Sequence, residues 1–289
     1  MTQPLVILTY PGHFLLTALT LKSYCKYHQP SAIVVIIDDA SPCAWPGYLE
    51  DCQQLYQTNI KTTSQLESIS LFKDNPWVRQ QIVKLHLDQI VDFDSWFFSD
   101  GDVVYSFAIP ENITPFTVTG GGLVQEQQNR YVSTVLQLEQ VGIETTFERG
   151  DGPETKQVCV SNPPFRFMQA SALQNLRQHI ETLHSKSFCH VHEAIMNHDL
   201  DCRPNDPVFS ISEWELIANF QRHVLDQELN LQYYPTYNLG DPMGILAPNQ
   251  PDYAHTCFNA DKDFGQAWFE SQGITVEPRI WNYLSKINK

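Results

Sequence analysis

Three apolar runs constrain this chain more than any other feature, and two of them end in acids. Residues 32–39 read AIVVIIDD, residues 94–106 read DSWFFSDGDVVYS, and residues 4–10 read PLVILTY before a Pro11-Gly12 turn signal. A strand with one wet face alternates apolar and polar residues. Runs that are apolar at every position mark parallel strands covered on both faces. Between them, FLLTALTLKSYCKYH (14–28), Tyr48 to Ile60 and Asn75 to Val91 carry the spacing of helices. Strand, helix, strand, helix, helix, strand predicts an open α/β sheet. Ligands of such sheets bind beyond the carboxyl ends of the strands, where Asp38-Asp39 and Asp100/Asp102 fall.

Beyond Gly120-Gly121-Gly122 the pattern is less regular. VSNPPFRFMQASALQNLRQHIETLH reads as an extended segment, a proline break and a helix from near Ser171. FSISEWELIANFQRHV reads as a helix with Ser212 or Ser210 as its N-cap. Residues 233–265, rich in Pro, Gly and Asn, read mostly as loop, and a loop of that length is usually functional or a sign that an element within it is missed. No repeat or low-complexity linker divides the 289 residues. The expectation is one domain over 1–289, with a ligand-binding first half (1–120) and an elaborated second half (121–289).

Composition sets the partners. At a formal net charge of −15 the chain repels nucleic acid and anionic lipid, and an anionic substrate needs a cation or a few placed Lys/Arg to be held. Seven scattered cysteines suggest no disulfide framework and fit reduced thiols. No signal peptide or transmembrane run is visible, so a cytoplasmic location is expected; a signal-less export route would leave the same sequence.

Asp100-Gly101-Asp102 is the most informative short stretch. Carboxylates two residues apart at a strand end can face one divalent cation once the backbone turns, and glycine makes that turn cheap. Such hard oxygen ligands suit Mg²⁺ or Mn²⁺, with a phosphate-bearing substrate completing the shell. The competing reading is a tight Asp-Gly turn with solvated acids.

WFFSDGDVVYS resembles the DxD segment of GT-A-fold, nucleotide-sugar-dependent glycosyltransferases. NPWVRQQIVKL is similar to a W-x-R-Q-Q-x-x-K-L helix that precedes the DxD strand in a bacterial group of such proteins. CVSNPPFRFMQASALQNL and FSISEWELIANF are similar to later segments, the second to an S-E-[YW]-E-L box. The resemblance runs in order over most of the chain. It implies a GT-A-like fold, an open mixed sheet flanked by helices, and a bacterial enzyme. The enzyme would move a sugar from a nucleotide-diphosphate donor to an acceptor hydroxyl with Mn²⁺ or Mg²⁺.

Residue roles follow from the same resemblance. Thr9 to His13, Thr9 and Tyr10 included, would line the nucleotide pocket, and Asp38 or Asp39 would accept hydrogen bonds from base or ribose. Asp100 would face the donor and the metal, and Asp102 would bind the metal directly. Arg79, Gln80 and Lys84 would hold the diphosphate or sugar hydroxyls; Gln80 and Lys84, spaced i,i+4, share a helix face. His255 in DYAHTCFNADKDFG would be a third metal ligand, and Lys262 would help neutralise the leaving group. Glu213 is either a first-turn glutamate favoured by the helix dipole, or a carboxylate that binds or deprotonates the acceptor. Glu215 shares that ambiguity.

Two other chemistries match parts of the sequence. FFSDGDVV also satisfies the D-x-D-x-[TV] signature of haloacid-dehalogenase-type phosphohydrolases, with Asp100 as nucleophile. A nucleotide-sugar-binding module that has lost its chemistry would share the fold. CHVHEAIMNHDLDC (189–202) carries Cys and His but matches no zinc-finger spacing, and it reads as a helix with surface histidines.

Overall fold

The computed structural model describes residues 3–10, 13–39, 47–72, 75–105, 108–109, 113–118, 123–149, 152–160, 165–202, 211–233, 237–238, 255–256, 265–275, 277–278 and 281–282. Their contacts divide the chain into two compact units. One comprises Met1–Ser64, Trp96–Glu111 and Thr236–Lys289, the other Gln65–Ser95 and Asn112–Pro235.

The first unit is built on the apolar runs. β1 (Leu5–Thr9), β2 (Ile33–Ile37) and β4 (Ser95–Asp100) form where the sequence predicts strands. A strand β3 (Asn59–Thr62) completes the parallel order β3-β2-β1-β4. Central β1 is buried at every position, as a parallel strand covered on both faces must be. Each such Leu, Ile or Val contributes roughly 1.5–3 kcal/mol by leaving water. Helix α1 (Phe14–Tyr27) follows β1, and α2 (Tyr48–Tyr56) links β2 to β3.

The helix expected over 48–60 therefore ends early. Gln57 sits at φ +49°, in the left-handed region, and closes α2 after Tyr56. The chain then turns into β3, an edge strand whose NIKT sequence is half-exposed and carries no apolar run. Beyond β4, the two-residue strand β5 (Val103–Val104) joins a small sheet with β11 (Tyr237–Asn238) and β12 (His255–Thr256). Most of the long loop expected over 233–265 lies outside the described residues.

The second unit holds helix α3 (Pro76–Lys84). Asn75 caps it, its side chain accepting from Val78 N at 3.2 Å, and proline occupies the first turn. α3 stops at Lys84 rather than running to Val91; a separate 3₁₀ turn covers Leu87–Gln89. The segment that reads as irregular contains an antiparallel hairpin, β7 (Ile143–Arg149) with β8 (Gly152–Cys159), in a sheet of order β10-β6-β8-β7. Here β6 is Thr114–Val118 and β10 is Leu231–Tyr233. Strand β9 (Phe165–Gln169) leads into α5 (Ala170–His184), followed by α6 (Phe188–Cys202) and α7 (Glu213–Asn219). α4 (Leu123–Leu136) packs on α5, α6 and α7. In the first unit the chain also forms α8 (Gln266–Ser271). No described helix is long and apolar enough to cross a membrane.

The histidines of α6 are not all on the surface. His192 is fully buried; its Nδ1 shares a 2.7 Å hydrogen bond with Tyr131 Oη, and the Phe188 ring meets it edge-on. Burial lowers its pKa to about 3, with His86 and His184 adding to the effect. His86, whose Nδ1 lies 2.9 Å from Ile82 O, is lowered to about 4, again chiefly by burial. Both imidazoles fold neutral and protonate more readily unfolded, so their contribution is complete above about pH 6.5 and is lost as pH falls towards their folded values. Across that window each makes the folded state progressively less stable as pH falls. Chemical denaturation from pH 7 to pH 4 should show this slope, and His192→Gln should flatten it; an unchanged slope would assign acid sensitivity to other groups.

Candidate functional site

The candidate site begins at the carboxyl ends of β1, β2 and β4 in the first unit. Pairing β1 with β2 and β4 in parallel brings Thr9 level with Ile37 and Leu8 level with Asp100. The acids after β2 and at the end of β4 therefore share one edge of one sheet, as the sequence predicts. Asp38 is buried and Asp39 half-buried. Thr63 Oγ1 lies 3.1 Å from Asp38 Oδ1 and 3.0 Å from Asp39 Oδ1. One hydroxyl proton is thus shared between two carboxylates, which holds both at the strand end.

Asp100-Gly101-Asp102 is clamped against β1 and α1. Thr17 Oγ1, one turn into α1, lies 2.6 Å from Thr9 Oγ1, 2.9 Å from His13 O and 3.2 Å from Gly101 O. A methyl group at position 101 would come within 2.7 Å of Thr17 Oγ1 and 2.8 Å of Thr9 Oγ1. Close approach is the reason for this glycine, and it fixes where the flanking carboxylates emerge. Tyr105, fully buried beyond the turn, donates to Ser99 Oγ at 2.6 Å, and burial raises its pKa well above the usual phenol value.

His13 joins this edge from the start of α1. Its Nδ1 is 4.0 Å from Asp102 Oδ2, and its Nε2 is hydrogen-bonded to Tyr10 Oη. Burial lowers the His13 pKa to about 4, so at neutral pH the ring meets Asp102 as a neutral dipole. The Tyr10 ring is tilted over His13 and is 40% exposed, one of the few large apolar groups open to solvent among the described residues. His255 enters through its backbone, paired in β12 with Val104, two residues beyond Asp102. Lys262 lies outside the described residues. Among the described residues, no three His, Cys, Asp or Glu side chains converge as a ready-made metal cage.

The remaining site candidates belong to the second unit. Arg79 is buried and Gln80 half-buried. Lys84 and Glu213 meet each other: Nζ lies 2.8 Å from Oε1, with both side chains only 4% exposed. The Gln81 side-chain amide lies against the same carboxylate, to which only its NH2 end can bond. The buried Trp214 ring lies between two cations, 5.2 Å from Lys84 Nζ and 5.8 Å from Arg166 Cζ. Ser212 caps α7 by accepting from Glu215 N, as the sequence predicts. Glu215 is fully buried; Oε1 accepts from Val160 N at 2.9 Å, and burial raises its pKa. Lys84, a donor-side residue by the resemblance, and Glu213, left open between helix-dipole and acceptor-side roles, are the two ends of one buried ion pair.

Sequence reasoning missed Thr17, Thr63 and Gln81. Thr17 and Thr63 had no signal beyond being hydroxyl residues near turns, because their partners are supplied by other strands.

No protein-family model matches the chain, and no curated protein matches it. Among solved structures it is similar to the galactosyltransferase LgtC in complex with donor and acceptor sugar analogs. That pair is 12% identical, covers 97% of this chain and 99% of that one, and has a TM-score of 0.46. The apo-form glycosyltransferase GlyE of Streptococcus pneumoniae is 9% identical over 100% of this chain and 64% of that one, with a TM-score of 0.40. An inositol-1-phosphate CTP transferase of T. maritima is 9% identical over 100% and 97%, with a TM-score of 0.36. At identities and scores this low, the functional reading rests on the site's own residues.

Three substitutions test these arrangements. Gly101→Ala should cost about 1–3 kcal/mol in denaturant unfolding, through overpacking against Thr9 and Thr17; a neutral result would show that the clamp yields. Lys84→Met should cost roughly 3–5 kcal/mol by stranding a buried carboxylate, whereas Lys84→Met with Glu213→Leu should recover most of that loss. If the double variant is no more stable than the single, the two charges are not coupled.

Proposed function

We propose that the protein is a GT-A-like, nucleotide-sugar-dependent glycosyltransferase that moves a sugar from a nucleotide-diphosphate donor to an acceptor hydroxyl. One observation carries this reading. The Asp100-Gly101-Asp102 turn is locked at the carboxyl end of a parallel strand, on the same sheet edge as Asp38 and Asp39. That edge is where open α/β sheets take nucleotides.

The donor set fits Mn²⁺ or Mg²⁺. Asp100 and Asp102 offer hard carboxylate oxygens from a turn packed against Thr9 and Thr17, and phosphate oxygens of the donor would complete the shell. A bound cation would offset charge developing on the departing diphosphate. The protein's part is placement. Thr9, Thr17 and Gly101 fix the turn, Tyr10 offers an exposed ring beside it, and Thr63 holds the second acidic pair for hydroxyl or base N–H groups. His255, through the pairing of β12 with β5, is the proposed further ligand. Lys262 remains a proposed partner of the leaving group. Glu213 and Lys84, tied to each other, support α7 and α3.

A thermal-shift panel of nucleotide sugars, with and without Mn²⁺, tests this, because a ligand that binds only the folded state raises its melting temperature. UDP- or GDP-linked donors should stabilise the protein only when the cation is present. Asp102→Ala should remove that metal-dependent shift while the protein stays folded, and His255→Ala should weaken its Mn²⁺ dependence. Turnover of a generic phosphomonoester, lost in Asp100→Asn, would instead identify a phosphohydrolase.

A further inference from the structure

The second unit contains a cleft of about 410 Å³ that none of the roles above uses. The size falls within the roughly 300–1,000 Å³ of small-ligand sites. β9 and the start of α5 form one wall, the turn after α7 the other, and residues 227–230 the rim. Phe167 and the edges of Leu173 and Ile217 supply apolar surface, while Gln169, Gln221 and Asn230 supply amides.

The wall that carries Gln221 has an unusual build. After α7 the backbone passes into a π-helical turn, Phe220–Val224, with Leu225 N bonded to Phe220 O. Asp226 follows at φ +50°, in the left-handed region. π-turns inside helices recur at functional sites, where they re-aim side chains. Gln221 is then held in place: its Oε1 accepts from Arg166 Nη2 at 3.2 Å, which leaves the amide NH2 as donor.

Charge narrows the ligand. Arg166 is the only described cation lining the cleft, and it is buried. Its Nη1 donates to Trp214 O at 3.0 Å, and the Glu213 and Glu215 carboxylates offset its charge. Glu228 adds a negative charge at the rim. An anion would meet no open cation here, in a chain whose net charge is −15. Amides that both donate and accept, set beside an aromatic ring, suit a ligand with neighbouring hydroxyls and apolar C–H faces.

We propose that this cleft binds an uncharged saccharide unit, with Gln221, Gln169 and Asn230 bonding its hydroxyls and Phe167 contacting a ring face. The site is built wholly from the second unit and is distinct in residues from the strand-end acids.

The test is saturation-transfer NMR, with calorimetric titration of the strongest binder, using lactose, cellobiose, maltotriose and N,N′-diacetylchitobiose. At least one should bind the wild-type protein, with glucuronic acid binding more weakly. Gln221→Leu should weaken that binding at least tenfold. Gln169→Ala, at an exposed position, should weaken it without altering the melting temperature. Asp102→Asn should leave it unchanged, which separates this site from the proposed donor site. Binding by none of the four saccharides, equal binding by both cleft variants, or preference for glucuronic acid would overturn the proposal.

Discussion

The site depends on a contact with no room for a side chain. Gly101 sits against the hydroxyls of Thr9 and Thr17, so the end of β4 is pinned to the end of β1 and the first turn of α1. A turn free to breathe would let Asp100 and Asp102 wander by the ångström that separates a useful metal site from a solvated acid pair. The parallel sheet sets the height of that turn, since β1 pairs on one side with β2 and on the other with β4. Sheet register, the threonine clamp and the glycine thus act together as one positioning device.

Charge is handled differently in the two units. In the first, carboxylates stand at a sheet edge with hydroxyls and a neutral imidazole beside them. In the second, charges are buried in opposite pairs, with Lys84 on Glu213 beside the Trp214 indole, and Arg177 on Asp88 at 2.6 Å. Pairs of that kind are costly to desolvate and costlier to break, so they specify a packing arrangement more than they add stability. Glu213, at the first turn of α7, is held by Lys84 of α3 in this way.

Much of the first unit was legible because parallel strands leave a plain trace: every side chain of AIVVII is apolar, and the acids begin where the sheet ends. The cap of α7 was readable as Ser212 or Ser210, since capping is a contact within three residues. β3 left no such trace, because an edge strand needs only one covered side. The β7–β8 hairpin was hidden for a similar reason, its threonines and glutamates alternating too weakly to announce a strand. The pairing of Lys84 with Glu213 spans 129 positions and that of Thr17 with Gly101 spans 84. Neither distance is encoded locally, so the residue types were visible while their partners were not. His192 shows the same limit: a histidine in a polar-looking helix reads as exposed until Tyr131 is found against it.

The central claim is that Asp100 and Asp102 hold a divalent cation that in turn holds a nucleotide diphosphate. Crystals grown with Mn²⁺ and a nucleotide diphosphate, measured at the manganese absorption edge, test it most directly. The account predicts an anomalous peak within bonding distance of the Asp102 carboxylate and of diphosphate oxygens. Nucleotide bound at the sheet edge with no such peak, or manganese bound away from the Asp100-Gly101-Asp102 turn, would contradict it.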